Sequence, residues 1–158
     1  MRLSQGSVWL VSALALVACS HNTIPNTEVE DTEENKKIVL FMEKYRLAVE
    51  TRDVGALLAM AAREYYDDMG TPTGEDDVDF DELAKGLKRI HEDVSDTRYQ
   101  IRYRSLTYTQ RDHILVDLLY TGWFKVETPK GPEWRRRLEP HRIVLARSSD
   151  GYKILSGM

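Results

Sequence analysis

Residues 98–126 read RYQIRYRSLTYTQRDHILVDLLYTGWFKV, and their periodicity decides the fold. Tyr99, Ile101 and Tyr103 alternate with Arg98, Gln100, Arg102 and Arg104, the period of two of a half-buried strand. The parity then shifts to Leu106 and Tyr108. A β-bulge near Arg104-Ser105 is expected there, because one extra residue flips the faces and bends the strand. Thr109 to Asp112 suits a hairpin turn. The run from His113 to Val126 predicts the longest strand, with Ile114, Val116, Leu118, Tyr120, Phe124 and Val126 on one face. Leu115, Leu119 and Trp123 share the other face with Asp117 and Thr121. Apolar groups on both faces mark it as a central strand.

Upstream the period is helical. Ile38, Phe41, Met42, Tyr45, Ala48 and Val49 form one stripe on a helix expected from about Glu33 to Arg52. Asp31 and Glu34 offer it a capping box. A short second helix is expected from Val54 to Ala61, after an Arg52-Asp53 junction. Ala62 to Asp68 holds Tyr65-Tyr66 and suits a short strand, and residues 70–74 form a Gly/Pro loop. A third helix starts at Asp79, with Glu82 as its capping partner. Phe80, Leu83, Leu87, Ile90 and Val94 lie on one face, and the helix ends near Ser95-Asp96.

Downstream, Pro129 to Pro132 turns the chain and a strand returns from Trp134 to Arg147. Ser149-Asp150-Gly151 turns it again, and Tyr152 to Gly157 closes the sheet. Pro140 has no N–H for a ladder, so an edge or bulge is expected there. The order of elements predicts an α+β fold: N-terminal helices packed on one face of a curved, mostly antiparallel sheet.

The first 18 residues have the layout of an export signal. Arg2 supplies a positive start, and an apolar run from Val8 to Ala18 follows, too short for the ~20 residues a spanning helix needs. The run ends Leu16-Val17-Ala18-Cys19, which resembles the lipobox of bacterial lipoproteins. The resemblance implies cleavage before Cys19 and a diacylglycerol thioether on its sulfur. Cys19 is the only cysteine of the chain, so no internal disulfide competes for it. Residues 19–32 are polar and aperiodic and read as the lipidated Cys19 with a flexible tether spanning about 20 Å. The domain proper is expected over residues 33–158. The anchor would place it in the cell envelope, at the outer membrane if the host has two, since Ser20 rather than Asp follows the cysteine.

The chain carries 22 basic and 26 acidic side chains, net −4. Removing residues 1–18 takes Arg2 and no acid, which leaves 21 against 26, a net charge of −5. That balance argues against a nucleic-acid partner. The acids cluster at Glu28–Glu34 and Glu75–Glu82, and a basic run lies at Arg135-Arg136-Arg137 with Arg142. Each is read as a solvated face or as a polar docking surface. No spacing of His, Cys and acid suggests a metal, and no cofactor motif is present.

Three stretches resemble the nuclear-transport-factor-2-like superfamily, the cystatin-like α+β cone: Phe41 to Ala59, with its Arg52-Asp53 break; the third helix running up to a bent strand; and the ending Asp150-Gly151-Tyr152-Lys153-Ile154-Leu155. The resemblance covers residues 35–158 and implies a cone whose concave side forms a pocket and whose sheet often pairs into homodimers. It spans ketosteroid-isomerase-like and polyketide-cyclase-like enzymes, dehydratases and non-enzymes, so it does not select a reaction. The expectation is an envelope lipoprotein without catalysis, binding a protein partner or a small apolar ligand. The alternative is a lipid-anchored isomerase, cyclase or dehydratase. For that alternative Asp117, between Leu115 and Leu119, is the candidate base if its face lines the cavity. Otherwise it meets solvent or pairs with Arg102 or Arg142. Tyr65, Tyr99, Tyr103 and Trp123 are the candidate pocket-lining rings, or plain core. His91, His113 and His141 are possible acids or bases.

Overall fold

A computed structural model describes residues 22–158. Three helices precede the main sheet: α1 (Glu33–Glu50), α2 (Val54–Met60) and α3 (Phe80–Asp93). A two-residue ladder, β1 (Tyr66–Asp67) with β2 (Val78–Asp79), lies between α2 and α3. The main sheet is antiparallel in chain order: β3 (Val94–Tyr108), β4 (His113–Val126), β5 (Glu133–Ser148) and β6 (Gly151–Ser156). The α+β expectation is met, and β4 has the expected bounds.

Local chemistry sets the helix starts. Asp79 caps α3 by accepting from the amides of Asp81 and Glu82, both at 2.9 Å. Asp53 caps α2 through Ala56 at 2.9 Å. At α1 the cap is Thr32, whose hydroxyl accepts from the Asn35 amide at 3.1 Å. The expected Asp31–Glu34 box does not form, because Asp31 pairs with Lys36 at 2.7 Å and Glu34 with Arg147. Arg52 adopts a left-handed φ of 55°, which ends α1 and starts α2.

The core lies between the helices and the concave face of the sheet. Ile38 and Met42 of α1 meet Ile114 and Val116 of β4, Ile143 and Leu145 of β5 and Ile154 of β6, all with no more than 0% exposure. The register between β3 and β4 slips between Tyr103 and Ser105, where the parity change placed the bulge. Pro140 pairs with Leu119 of β4 on one side. On the other, β6 reaches only as far as Val144, so the missing N–H falls on a free edge. Gly157 (φ +87°) packs where a Cβ would collide with the Arg142 carbonyl oxygen, so β6 closes tightly on β5 only with glycine there.

The segment expected to be a tether is different. Its described part, residues 22–32, folds into a hairpin-like turn with a Thr23–Glu30 bridge. The Glu28 amide donates to the Tyr103 carbonyl at 3.0 Å, and the Glu28 carboxylate pairs with Arg102 and Arg104. Val29 is 2% exposed. The buried Asn35 side chain donates to the Glu30 carbonyl at 2.9 Å and accepts from the Tyr108 hydroxyl at 2.6 Å. The turn thus covers an otherwise open edge of β3. Among the described residues the packing of the domain therefore includes residues 22–32, and Glu28, Asp31, Glu33 and Glu34 of the first acidic cluster make internal ion pairs. Among the described residues the buried apolar side chains run from Val29 to Ile154, so this core is built within residues 22–158. The signal segment 1–18 and Cys19 lie outside the described residues.

Candidate functional site

The concave face is not completely filled. A cavity of about 300 Å³ opens between the end of α1, the start of α2, α3 and the far ends of β3–β5. Its wall is a ladder of rings. Tyr45 of α1 meets Tyr99 of β3 edge-on at 6.5 Å between centroids. Tyr99 stacks on Tyr120 of β4 at 5.3 Å, and Tyr120 meets the His141 ring of β5 edge-on at 5.9 Å. Phe124 continues the wall on β4, and Val49, Val54, Leu57 and Leu87 supply aliphatic surface. Gly122 lies opposite Tyr99. A Cβ on it would sit 2.5 Å from the Phe124 ring, so the missing side chain gives Phe124 its place.

Beside the tyrosine hydroxyls, the polar side chains of the lining are Arg52, His91, Thr97, Arg137 and His141, with no Asp or Glu among them. His141 donates Nε2–H to the Gly157 carbonyl at 2.9 Å. A carbonyl oxygen only accepts, so that bond places a proton on Nε2. His91 uses Nδ1 toward the Arg52 carbonyl at 3.1 Å, and Arg52 donates back to the His91 carbonyl at 3.1 Å and to that of Val94. The Arg52 guanidinium therefore terminates α3 by satisfying its last carbonyls. Burial holds the Tyr45 and Tyr99 phenols neutral by pushing both well above the usual tyrosine range, with neighbouring phenols adding to it.

Of the rings expected in the pocket, Tyr99 lines it and the other three do not. Tyr65 is buried at 2% exposure beneath the end of β6. Its hydroxyl accepts from the Met158 amide at 3.0 Å, and burial pushes it up to about 12. Tyr103 donates to Glu43 of α1 at 2.8 Å. Trp123 is on the convex face, with the Arg136 guanidinium 5.6 Å from its ring centroid. Asp117 is also on the convex face and does not line the cavity. It accepts from Arg142 Nε at 2.7 Å and from Ser105 at 3.1 Å, and the Arg142 hydrogen bond holds its carboxyl below the usual range. Of the two placements its strand position left open, Asp117 takes the ion pair with Arg142 and not the cavity wall that a base would need. Alternation already put Asp117 opposite in parity to Tyr120 and Phe124. Choosing which parity faced inward required the helices.

The residues missed were Tyr45, Tyr120 and Phe124 as lining groups, with Arg52 and Arg137. Among the described residues no group of three or more His, Cys, Asp or Glu side chains is placed to hold a metal. None of the helices in the described residues is long and apolar enough to cross a membrane.

No protein-family model matches the chain, and no curated protein is similar to it in sequence. Solved structures are similar in fold. A ketosteroid isomerase-like protein from Erwinia carotovora atroseptica is 21% identical, with a TM-score of 0.61 over 79% of this chain and 93% of its own. A provisionally named dehydratase of the nuclear-transport-factor-2-like family from Streptomyces avermitilis is 15% identical, with a TM-score of 0.61 over 78% and 93%. A provisionally named scytalone dehydratase from Novosphingobium aromaticivorans is 10% identical, with a TM-score of 0.66 over 78% and 80%. The chain therefore has the nuclear-transport-factor-2-like fold. At these identities the likeness speaks to fold and not to reaction.

Proposed function

We propose that this chain is an envelope lipoprotein, held to a membrane through lipidated Cys19, whose cone cavity binds a small apolar ligand without transforming it. One observation carries the ligand: a cavity of about 300 Å³ walled by four aromatic side chains, Tyr45, Tyr99, Tyr120 and Phe124. Cavities of this size with apolar walls and a few convergent polar groups suit small molecules. Support for binding without chemistry comes from the lining. It offers no Asp or Glu side chain, and both of its histidines are hydrogen-bonded to backbone carbonyls. The anchor rests on the Leu16-Val17-Ala18-Cys19 sequence alone.

A second reading is favoured by the convex sheet face, where Trp134 and Leu138 are 45% and 52% exposed. That strip would meet a protein partner or a second copy of this chain. It also carries Arg98, Arg136 and Arg142, and in a symmetric homodimer these would oppose one another.

Fluorescence titration of residues 22–158 with the neutral probe N-phenylnaphthylamine tests the ligand reading. Saturable one-to-one binding is expected. No saturable binding, with a fully folded protein, overturns it.

A further inference from the structure

The charge around the cavity differs in sign from the charge of the whole molecule. The chain is net −4, yet its cavity is lined by two arginine side chains and by no Asp or Glu side chain. Neither arginine is neutralised by a carboxylate among the described residues. Arg52 is turned onto the His91 and Val94 carbonyls. Arg137 lies beside the Tyr120 hydroxyl, exposed at the rim on β5, and takes part in none of the ion pairs there. Glu139 is the acid at this rim, and it accepts from the Tyr120 hydroxyl at 3.0 Å. An aromatic wall next to an unneutralised guanidinium is built for a molecule with both parts. Arginine suits an oxyanion head, since its planar fork can meet two oxygens at once.

We propose that the cavity selects an anionic amphiphile, with its apolar body against Tyr99, Tyr120 and Phe124 and a carboxylate- or sulfonate-type head on Arg137. The inference rests on the ligand-binding reading above and narrows it to one chemical class. Arg52 adds a second positive charge to the lining without giving up its carbonyl partners.

The test uses two probes with one carbon skeleton: neutral N-phenylnaphthylamine and anilinonaphthalene sulfonate. Each is titrated into residues 22–158, into Arg137→Gln, and into Arg142→Gln as a control on the convex face. The sulfonate is expected to bind about tenfold more tightly, the scale of one charge-assisted hydrogen bond. Arg137→Gln should bring the two affinities to within about twofold by lowering the sulfonate alone, and Arg142→Gln should leave the preference intact. If Arg137→Gln weakens both probes, Arg137→Lys decides: a preference kept by lysine supports the head-group site, and a preference lost overturns it. Equal binding of both probes to the unaltered protein overturns the anionic head and leaves the apolar-ligand reading standing. Loss of preference in Arg142→Gln, with none in Arg137→Gln, also overturns it by placing the sulfonate on the convex sheet. Failure of both probes to bind overturns the ligand reading itself.

Discussion

Gly122 and Phe124 are two residues apart on the concave face of β4, and a Cβ on Gly122 would lie 2.5 Å from the Phe124 ring. The ring lies across the glycine because nothing stands there, and from that position it forms part of the cavity wall. Gly122→Ala must therefore displace the ring. The change is expected to cost about 1–3 kcal/mol of stability as overpacking. It should also weaken N-phenylnaphthylamine about tenfold, read by fluorescence titration beside a urea unfolding curve. An unchanged affinity would show that Phe124 is not part of the binding wall.

Asp117 and Arg142 lie on the other side of the sheet, and their pair should matter to stability and not to binding. Asp117→Asn is expected to leave probe affinity unchanged and to cost ~0.2–1 kcal/mol at neutral pH, the range for exposed ion pairs. The sign of the pH effect follows from the shift. Arg142 holds the Asp117 carboxyl below its ordinary value of 3.8. Its contribution is therefore present in full above the unfolded value and is lost as pH falls through the lower folded one. The stability difference between the native protein and Asp117→Asn should shrink below about pH 4. Urea midpoints at neutral and acid pH measure it.

Val29 distinguishes a docked segment from a tether. Val29→Ala removes buried methyl groups at a site that is 2% exposed and should cost about 1–2 kcal/mol. Thermal unfolding of residues 22–158 measures it. A free tether would show no loss.

Cys19 carries the membrane reading. Cys19→Ala is expected to move the protein from the detergent-rich to the aqueous phase in a phase-partition assay of the expressed full chain. Normal partitioning of that variant into detergent contradicts the anchor.

Most of the architecture was legible because it is local. The change from helical period to a period of two, the bulge near Ser105 and the bounds of β4 each follow from side chains adjacent in sequence. The docked turn at residues 22–32 was not legible. Its composition is polar, and what holds it is the placement of one residue, Val29, over the core, with distant partners such as Tyr103 and Arg104. The cavity was half legible. Parity grouped Tyr99 with Tyr103 and grouped Tyr120 with Phe124, but Tyr103 ends on Glu43 of α1 and only Tyr99 reaches open space. Which rings are core and which are wall depends on where the helices stop, a tertiary fact that no strand encodes.

The central claim is that a small apolar molecule sits in the cone. Amide correlation spectra of residues 22–158, recorded with and without N-phenylnaphthylamine, test it most directly. Saturable shifts confined to the cavity elements, around Val54–Leu57, Thr97–Tyr99 and Tyr120–Phe124, are the expected result. Absence of saturable shifts, or shifts centred on Trp134 and Leu138 of the convex face, would contradict the account.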